Sequence, residues 1–522
     1  MMEDWVECNL IDICELNPKH LDKQNLDDSF EVQFLPMKLV EKESNVIHTS
    51  EIRKFDDVKK KSYKYFEEND ILFAKVTPCM ENGKIAIARN LKNKIGYGSS
   101  EFHVFRCSSI ISNKLMFFFL VQEGFRRNAQ HAMTGAVGLR RVPKKYLEDH
   151  LFLVPPLPIQ RAIVSKIESL FSSLDSGIAD LKKAQEQLKI YRQAVLKKAF
   201  EGELTKEWRE QQTDLVTSKK LIEEIKNRRE KNYNDHILEW ENQLSLWKKN
   251  GKEGEKPIKP KKPTNLDSKI TNLDVVASSL KVSDFWDIQP LAFISDNKPN
   301  CIVDGPFGSS INVAEDYKET GVPVIRMVNI RPLKYVSKNL KFIVKEKFHE
   351  LKRHNIISKD ILIAKVGATI GDCCIYPDTQ PEGMLSTTGS CRVRLDPIVY
   401  LPKLLQYYVF FQKYKLKSIA SQTAQPFLNM KVLKAYPVPI LTIREQEQLL
   451  HEIEYRLTVF DKVEESIKDS LLKANALRQS ILKKAFEGKL LTKEEIEKCK
   501  QEADYEPASV LLERIKKEKK KS

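Results

Sequence analysis

Residues 192–204 read RQAVLKKAFEGEL and residues 478–490 read RQSILKKAFEGKL, ten identities in thirteen positions at a constant offset of 286. Chance does not supply such a match, so the chain is constrained to fold as two copies of one unit. The same offset, carried back without a gap, sets Gln160 against Gln446, Ile167 against Ile453, Glu168 against Glu454 and Asp175 against Asp461. Weaker similarity extends farther. DILFAKV at 70–76 faces DILIAKV at 360–366, and Trp5, Leu10 and Ile13 share the spacing of Trp286, Leu291 and Ile294. At 522 residues the chain is too long for one core. It reads as a tandem duplication of a unit of about 200 residues, with an insertion between the copies.

Each copy divides by pattern. In its last quarter apolar residues recur every seventh position: Ile167, Leu174, Leu181, Leu188 and Val195, then Ile453, Phe460, Ile467, Ala474 and Ile481. This is a coiled-coil seam, supported by Phe171, Ile178, Ala199, Leu457, Leu471 and Ala485 and interrupted at Gln185, Arg192, Glu464 and Arg478. Both helices are expected to stop near Gly202 and Gly488, where glycine serves as a left-handed cap. Rods of about 40 residues would be about 60 Å long, and pairing with each other would bury both stripes. The earlier part of each copy has short apolar strands at 71–76 and 361–366, turn residues, and helical stretches near 115–124 and 401–414. That pattern indicates a compact α+β domain. Prolines mark the junctions, VPPLP at 154–158 and PVPI at 437–440. The expected division is a globular domain at 1–158, a long helix at 159–204, a charged segment at 205–280, a second globular domain at 281–441, a second helix at 442–490 and a basic tail at 491–522. The 205–280 segment, with Trp208, Trp240 and Trp247, is expected to be partly helical before becoming an extended Lys/Pro-rich linker.

Net charge is +15, but residues 248–262 carry seven Lys against two Glu, and the tail from Arg514 to Lys521 carries six basic residues against one Glu. Charge alone therefore divides evenly between nucleic-acid binding and solvated linkers. Nine cysteines without a C-x2-C pair support neither a zinc ribbon nor a disulfide framework. Acidic residues occupy the N-terminus where a secretory signal needs basic ones, and the longest strongly apolar run, Leu115 to Val121, is too short for a bilayer, so a cytoplasmic protein is expected. The chain has no GxxxxGK[ST] loop, no FxGxG glycine fingerprint and no [ND]PP[YF] tetrad, elements that a DNA-modifying enzyme acting alone needs. Asp70 with Lys75 and Asp360 with Lys365 read as strand ends rather than nuclease fragments, and Cys373 and Cys374 as buried small residues rather than a redox pair.

Two variable globular domains alternating with two similar helices, each entered through prolines and a Gln (Pro155, Pro156, Leu157, Gln160; Pro439, Glu445, Gln446), resemble the specificity subunits of type I restriction-modification systems. The D-I-L-x-A-K strands, the KKAFEGxL helix ends and GPFGSS at 305–310 carry the same resemblance. The first domain departs from it, with TPCMENGK after its strand in place of a GPFGSS equivalent. The resemblance implies two target-recognition domains separated by two long antiparallel coiled-coil helices. It further implies a non-catalytic subunit that reads a bipartite target in double-stranded DNA, binds two methyltransferase subunits and recruits motor-nuclease subunits. S-adenosylmethionine, ATP and Mg would then lie on those partners, with no cofactor, metal or membrane for this chain. DNA repeats every ~34 Å, so rods of about 60 Å suit a ruler between half-sites, and lengthening a helix is expected to change the gap.

Readout needs polar side chains that reach a groove and donors that hold phosphates. The candidates are Lys75, Arg140, Arg141, Lys144 and Lys145 in the first domain, the last four following the small-residue loop TGAVG at 134–138. In the second they are Ser309, Ser310, Arg326, Asn329, Lys365, Gln422, Gln425 and Lys431. With the seam consumed by helix pairing, partner subunits are expected on Pro155, Pro156, Gln160, Lys197, Phe200, Pro439, Gln446, Lys483 and Phe486. The alternatives are a stand-alone duplicated DNA-binding regulator and a coiled-coil scaffold.

Overall fold

The computed structural model describes residues 4–19, 26–48, 51–59, 62–136, 138–260, 262, 285–296, 298–421 and 425–519. It is an α+β protein with two compact units, one formed by Met1–Ala184 with Ser466–Ser522 and the other by Gln185–Glu465. Each unit therefore draws on both sequence copies, because each long helix, Leu157–Phe200 and Ile443–Phe486, is unbroken for 44 residues and belongs to one unit in its first half and to the other in its second.

In the first unit one four-stranded antiparallel sheet runs Cys14–Leu16, Phe102–Cys107, Ile71–Ala74, Ile85–Ile87. A second runs Ile52–Lys54, Glu31–Leu35, Ile95–Gly98, Lys64–Glu67, with its central pair parallel. The reason DILFAKV is apolar without alternation is visible at its centre. Ile71 and Phe73 point into the main core while Leu72 points into a smaller one behind the sheet, so both faces are buried. The second unit repeats this topology strand for strand: Ile302–Asp304, Ser390–Val393, Ile361–Ala364, Cys373–Ile375, and Lys341–Ile343, Val322–Ile325, Gly383–Leu385, Asn355–Ile356. Again the central pair of the second sheet is parallel, and Ile361 and Ile363 face one core while Leu362 faces another.

The core of the first unit continues from the sheet into Ile159, Ile163 and Ile167 at the start of the first helix and Ile481, Leu482 and Ala485 at the end of the second. The corresponding core of the second unit takes in Leu449 and Ile453, then Leu196, Ala199 and Phe200. The KKAFEG end of each copy thus packs with the domain of the other copy. Within each unit the helix segments run antiparallel, and the arginines that interrupt the seam are spent there. Arg478 pairs with Asp175 in the first unit, and its repeat-mate Arg192 pairs with Asp461 and, at 3.0 Å, with Glu464 in the second. Gly202 and Gly488 adopt φ of +79° and +67°, and the next N–H groups, of Glu203 and Lys489, reach back to the carbonyls of Lys198 and Lys484 at 3.0 and 2.8 Å. A residue with a Cβ is disfavoured at that left-handed position.

The basic C-terminal region is folded. Helices Lys493–Lys500 and Ala508–Lys519 bury Ile496, Cys499, Leu511, Leu512 and Ile515 in the first unit, and the Ala508 N–H donates to the Asp4 carbonyl at 3.0 Å. After a short helix, Lys206–Glu210, the inter-repeat segment forms a 32-residue helix, Ser218–Lys249, whose first turns bury Ile222, Ile225 and Arg229 in the second unit. The remainder of the expected linker, 263–280, lies outside the described residues.

Candidate nucleic-acid interface

Both domains present the same backbone frame at the end of their D-I-L-x-A-K strand. In the first, the Lys75 N–H donates to the Glu101 carbonyl, the Val142 N–H donates to the Lys75 carbonyl, and the Thr77 N–H donates to the Arg140 carbonyl, at 2.9, 2.9 and 3.0 Å. In the second, Lys365 N–H to Gly389, Leu428 N–H to Lys365 and Gly367 N–H to Pro426 reproduce the set, each at 2.8 Å. The side chains on this shared frame differ. Arg141 and Glu101 of the first domain stand where the second has Phe427 and Gly389.

The first frame gathers cations. Lys75, Lys64, Arg141 and Lys144 arrive from a strand end, a strand start, a loop and a helix start, and all lie near Glu101 or the buried His103. Arg141 grips Glu101 with Nε and Nη2, both at 2.8 Å, and this hydrogen bonding holds the Glu101 carboxyl below its ordinary range. Lys75 is half-buried, and burial pushes its ammonium down, with Lys64 and Arg141 pushing the same way against Glu101. Two carboxylates, Glu101 and the Glu148 paired with Lys144, among four cations leave a local positive excess suited to a phosphate backbone. Arg140 is turned inward, donating to the Met133 carbonyl at 3.0 Å. Lys144 and Lys145 are exposed and pair with Glu148 and Asp149 one helical turn on, at 2.8 and 2.9 Å. Lys64 escaped the sequence reading because a single lysine opening a strand carries no signal until the fold sets it beside Lys75.

Beneath the cluster His103 is 5% exposed. One ring nitrogen, Nε2, lies 2.9 Å from the Val142 carbonyl and therefore carries the proton, while Nδ1 accepts from Asn17 Nδ2 at 3.2 Å. Burial lowers its pKa to about 4, with Lys75, Lys64 and Lys144 adding to the effect. The fold therefore holds the neutral ring. Stability is full above pH ~6.5, the ordinary histidine value, and falls as pH drops toward 4, costing roughly 2–3 kcal/mol by pH ~4.5. Denaturant unfolding at pH 7.5 and 4.5 should show that loss in the native chain and a much smaller one in His103→Gln. An equal loss in both would remove the histidine from the explanation.

The second domain spends its candidates differently. Lys365 is fully buried, its Nζ 3.3 Å from Asp304 and 4.6 Å from the centre of the Phe427 ring, so the expected phosphate contact is instead a structural ion pair. Asn329 is also fully buried, its amide donating to the carbonyls of Val336 and Lys338 at 2.8 and 3.2 Å and accepting from the Arg326 N–H at 3.0 Å. It holds a turn and cannot read a base. Arg326 donates to the Asn339 carbonyl at 2.6 Å. Ser309 and Ser310 lie on a short turn, Gly308–Ser310, beside Phe307, which is 76% exposed. Gly305 is required there, since a Cβ would sit 2.1 Å from the Thr387 carbonyl oxygen. Phe307 is a second residue the sequence reading missed, an apolar tip of the kind that contacts a thymine methyl or wedges between base steps. Gln425 and Lys431 are exposed, and Gln422 lies outside the described residues.

The expected partner contacts divide by burial. Pro155, Pro156, Pro439, Gln160, Gln446 and Phe200 are buried within their own units and are corrected to structural roles. The Gln160 amide donates to the carbonyls of Ile110 and Pro155 and accepts from the Ser112 N–H, all at 2.8 Å. Gln446 does the same with Val399, Leu441 and Leu401, at 2.8, 2.9 and 2.8 Å. Phe486 is half-buried against Phe119. Lys197 and Lys483 remain at the surface, 64% and 74% exposed. Asp70 and Asp360 are buried and engaged by Arg106 and Arg394, which removes them as nuclease ligands. None of the nine cysteines is in a disulfide, and no helix among the described residues is long and apolar enough to cross a membrane.

The sequence matches the family model of the type I restriction modification DNA specificity domain over residues 2–186 and 307–473. The specificity subunit of the type I restriction enzyme EcoAI of Escherichia coli is 39% identical over 174 residues, 33% of this chain and 29% of that protein. The EcoKI specificity subunit of Escherichia coli strain K12 is 22% identical over 481 residues, 87% of this chain and 86% of that protein. The match thus spans less than a third of EcoAI but most of EcoKI. Among solved structures, the HsdS subunit from Thermoanaerobacter tengcongensis superposes with a TM-score of 0.54 at 14% identity, covering 94% of this chain and 98% of that one. A chain from a structure addressing complex assembly and conformational transition of the type I R-M system superposes at 0.63 with 15% identity, covering 93% and 98%. Both are likenesses of fold.

Proposed function

The chain belongs to the type I restriction modification DNA specificity family, and we propose on that premise that it is the sequence-reading subunit of a type I restriction-modification complex. It takes no catalytic part. Each domain reads one half of a bipartite target in double-stranded DNA, and two methyltransferase subunits and the motor-nuclease subunits act where it places them. S-adenosylmethionine, ATP and Mg belong to those partners.

The observation that carries this reading is one frame with two sets of side chains. Lys75, Glu101 and Arg141 in the first domain become Lys365, Gly389 and Phe427 in the second, on matching backbone hydrogen bonds. A repeated frame fixes where a reader stands, and different side chains let two readers see different bases. Arg141 and the surrounding lysines suit phosphates and guanine edges. The exposed Phe307 suits a thymine methyl or a shape-dependent step.

The test is methylome sequencing of a host expressing this chain with its methyltransferase, against the methyltransferase alone. A bipartite methylated motif is expected only when the chain is present, and Arg141→Gln should relax one half of it while leaving the other half intact. No motif, with both proteins soluble and associated, would shift the reading to a regulator or a scaffold.

A further inference from the structure

The inter-repeat helix Ser218–Lys249 buries its side chains only near its start, with Arg229 the last buried residue. Arg229 anchors it, donating to the carbonyls of Phe293 and Ser295 at 2.7 and 3.1 Å and lying 3.2 Å from Asp396. From there to Lys249 the helix runs 20 residues, about 30 Å, with no further buried side chain. The chain then turns through Gly251 and Gly254, at φ of +72° and +82°, and folds back along the helix. Two indoles hold the return: Trp247 Nε1 donates to the Gly254 carbonyl at 3.1 Å and Trp240 Nε1 to the Pro257 carbonyl at 3.0 Å, with Lys259 over the Trp240 ring. The described residues from 218 to 260 therefore form a hairpin, and its tip holds four of the seven Lys of the 248–262 run against both of its Glu, Glu253 and Glu255.

We propose that this tip is a sequence-independent DNA contact, gripping the phosphate backbone of duplex outside the half-site read by the second domain. The proposal rests on the DNA-reading function above. Lysines in a last helical turn complement the macrodipole, but that accounts for Lys248 and Lys249 and not for Lys252, Lys256, Lys259 and Lys262 beyond the helix end. Lys248, Lys249, Lys252 and Lys256 make no ion pair with any described residue, so their charge is available to a ligand. The tryptophan clamps fix them on an ordered element, which lowers the entropy lost on binding. Leu238, Leu246 and Ile258 are exposed nearby, but scattered aliphatic side chains are ordinary on a surface, and the dominant chemistry of the tip is positive charge.

The test compares the native chain with K248Q/K249Q/K252Q/K256Q, each in complex with its methyltransferase, on a labelled 60-base-pair duplex lacking the methylated motif. Removing one lysine from a phosphate lowers the salt dependence of log affinity by about 0.9, so the slope is expected to fall by roughly 2 to 3.5, with affinity at 100 mM salt down by at least about tenfold. The methylated motif should stay the same, and the four-arginine counterpart should keep the native slope. An unchanged slope with the motif retained overturns the proposal and leaves the function standing. Loss of methyltransferase association would overturn it in favour of a protein-docking role, and a native complex that produces no motif and binds no DNA would end both readings.

Discussion

Asp360→Asn is expected to cost the second domain about 3–5 kcal/mol, because it strips one partner from a buried ion pair. Asp360 is 1% exposed and accepts from Arg394 Nε and Nη2 at 2.8 and 2.7 Å and from the Ile357 N–H at 2.8 Å. Arg392, also 1% exposed, lies 4.0 Å away, and burial together with Arg394 lowers its pKa to about 10. An amide of the same shape would leave two guanidinium groups facing each other with their common counter-charge gone. A melting transition about 10–15 °C lower is the expected readout for a domain of this size. The first domain sets the control. Asp70 is gripped by Arg106 in the same way, at 3.0 and 2.8 Å, but Glu67 also pairs with Arg106 at 3.0 Å and, among the described residues, no second arginine completes the cluster. Asp70→Asn should therefore cost less than Asp360→Asn. Equal losses would show that the local charge count does not decide the energy, and a second-domain melt within a degree of native would dispose of the ion-pair account altogether.

What the sequence disclosed and what it withheld divide along a physical line. The duplication, the long helices and the D-I-L strands were readable because periodicity and register are local properties of the chain. The exchange of helix ends was not, since the seam of RQAVLKKAFEGEL is equally satisfied by any complementary stripe, and only the folded units set Phe200 beside Tyr408 and Phe486 beside Phe119. The candidate interface fared worse for a related reason. Lys75 and Lys365 hold the same place in the same motif, yet one faces a cation cluster and the other is sealed under Phe427 beside Asp304, residues about 60 positions away in sequence. Polarity in a sequence marks a surface on average. Asn329, Gln160 and Gln446 are the exceptions that a buried backbone demands when its own groups lack partners.

Those glutamines carry the second large effect. Gln446→Leu keeps the volume of the side chain but leaves the Leu401 N–H and the carbonyls of Val399 and Leu441 buried without partners. Each abandoned group costs about 1–3 kcal/mol, so the total is expected to reach roughly 3–6 kcal/mol. Because Gln446 ties the helix start to the loop before the helix Pro402–Phe411, the loss should concentrate there, with faster hydrogen exchange at the Leu401 amide than in the strands of the same domain. Gln160→Leu should match it in the first unit, since its three hydrogen bonds repeat those of Gln446 to within 0.1 Å. If both variants stay folded at lower temperature, methylation should slow while the motif keeps its bases, because the readers are intact and only their seating on the helices has loosened. A change in the motif itself would instead place these glutamines in recognition, and native-like melting of either variant would mean that water or a rearranged backbone satisfies the groups the amide now serves.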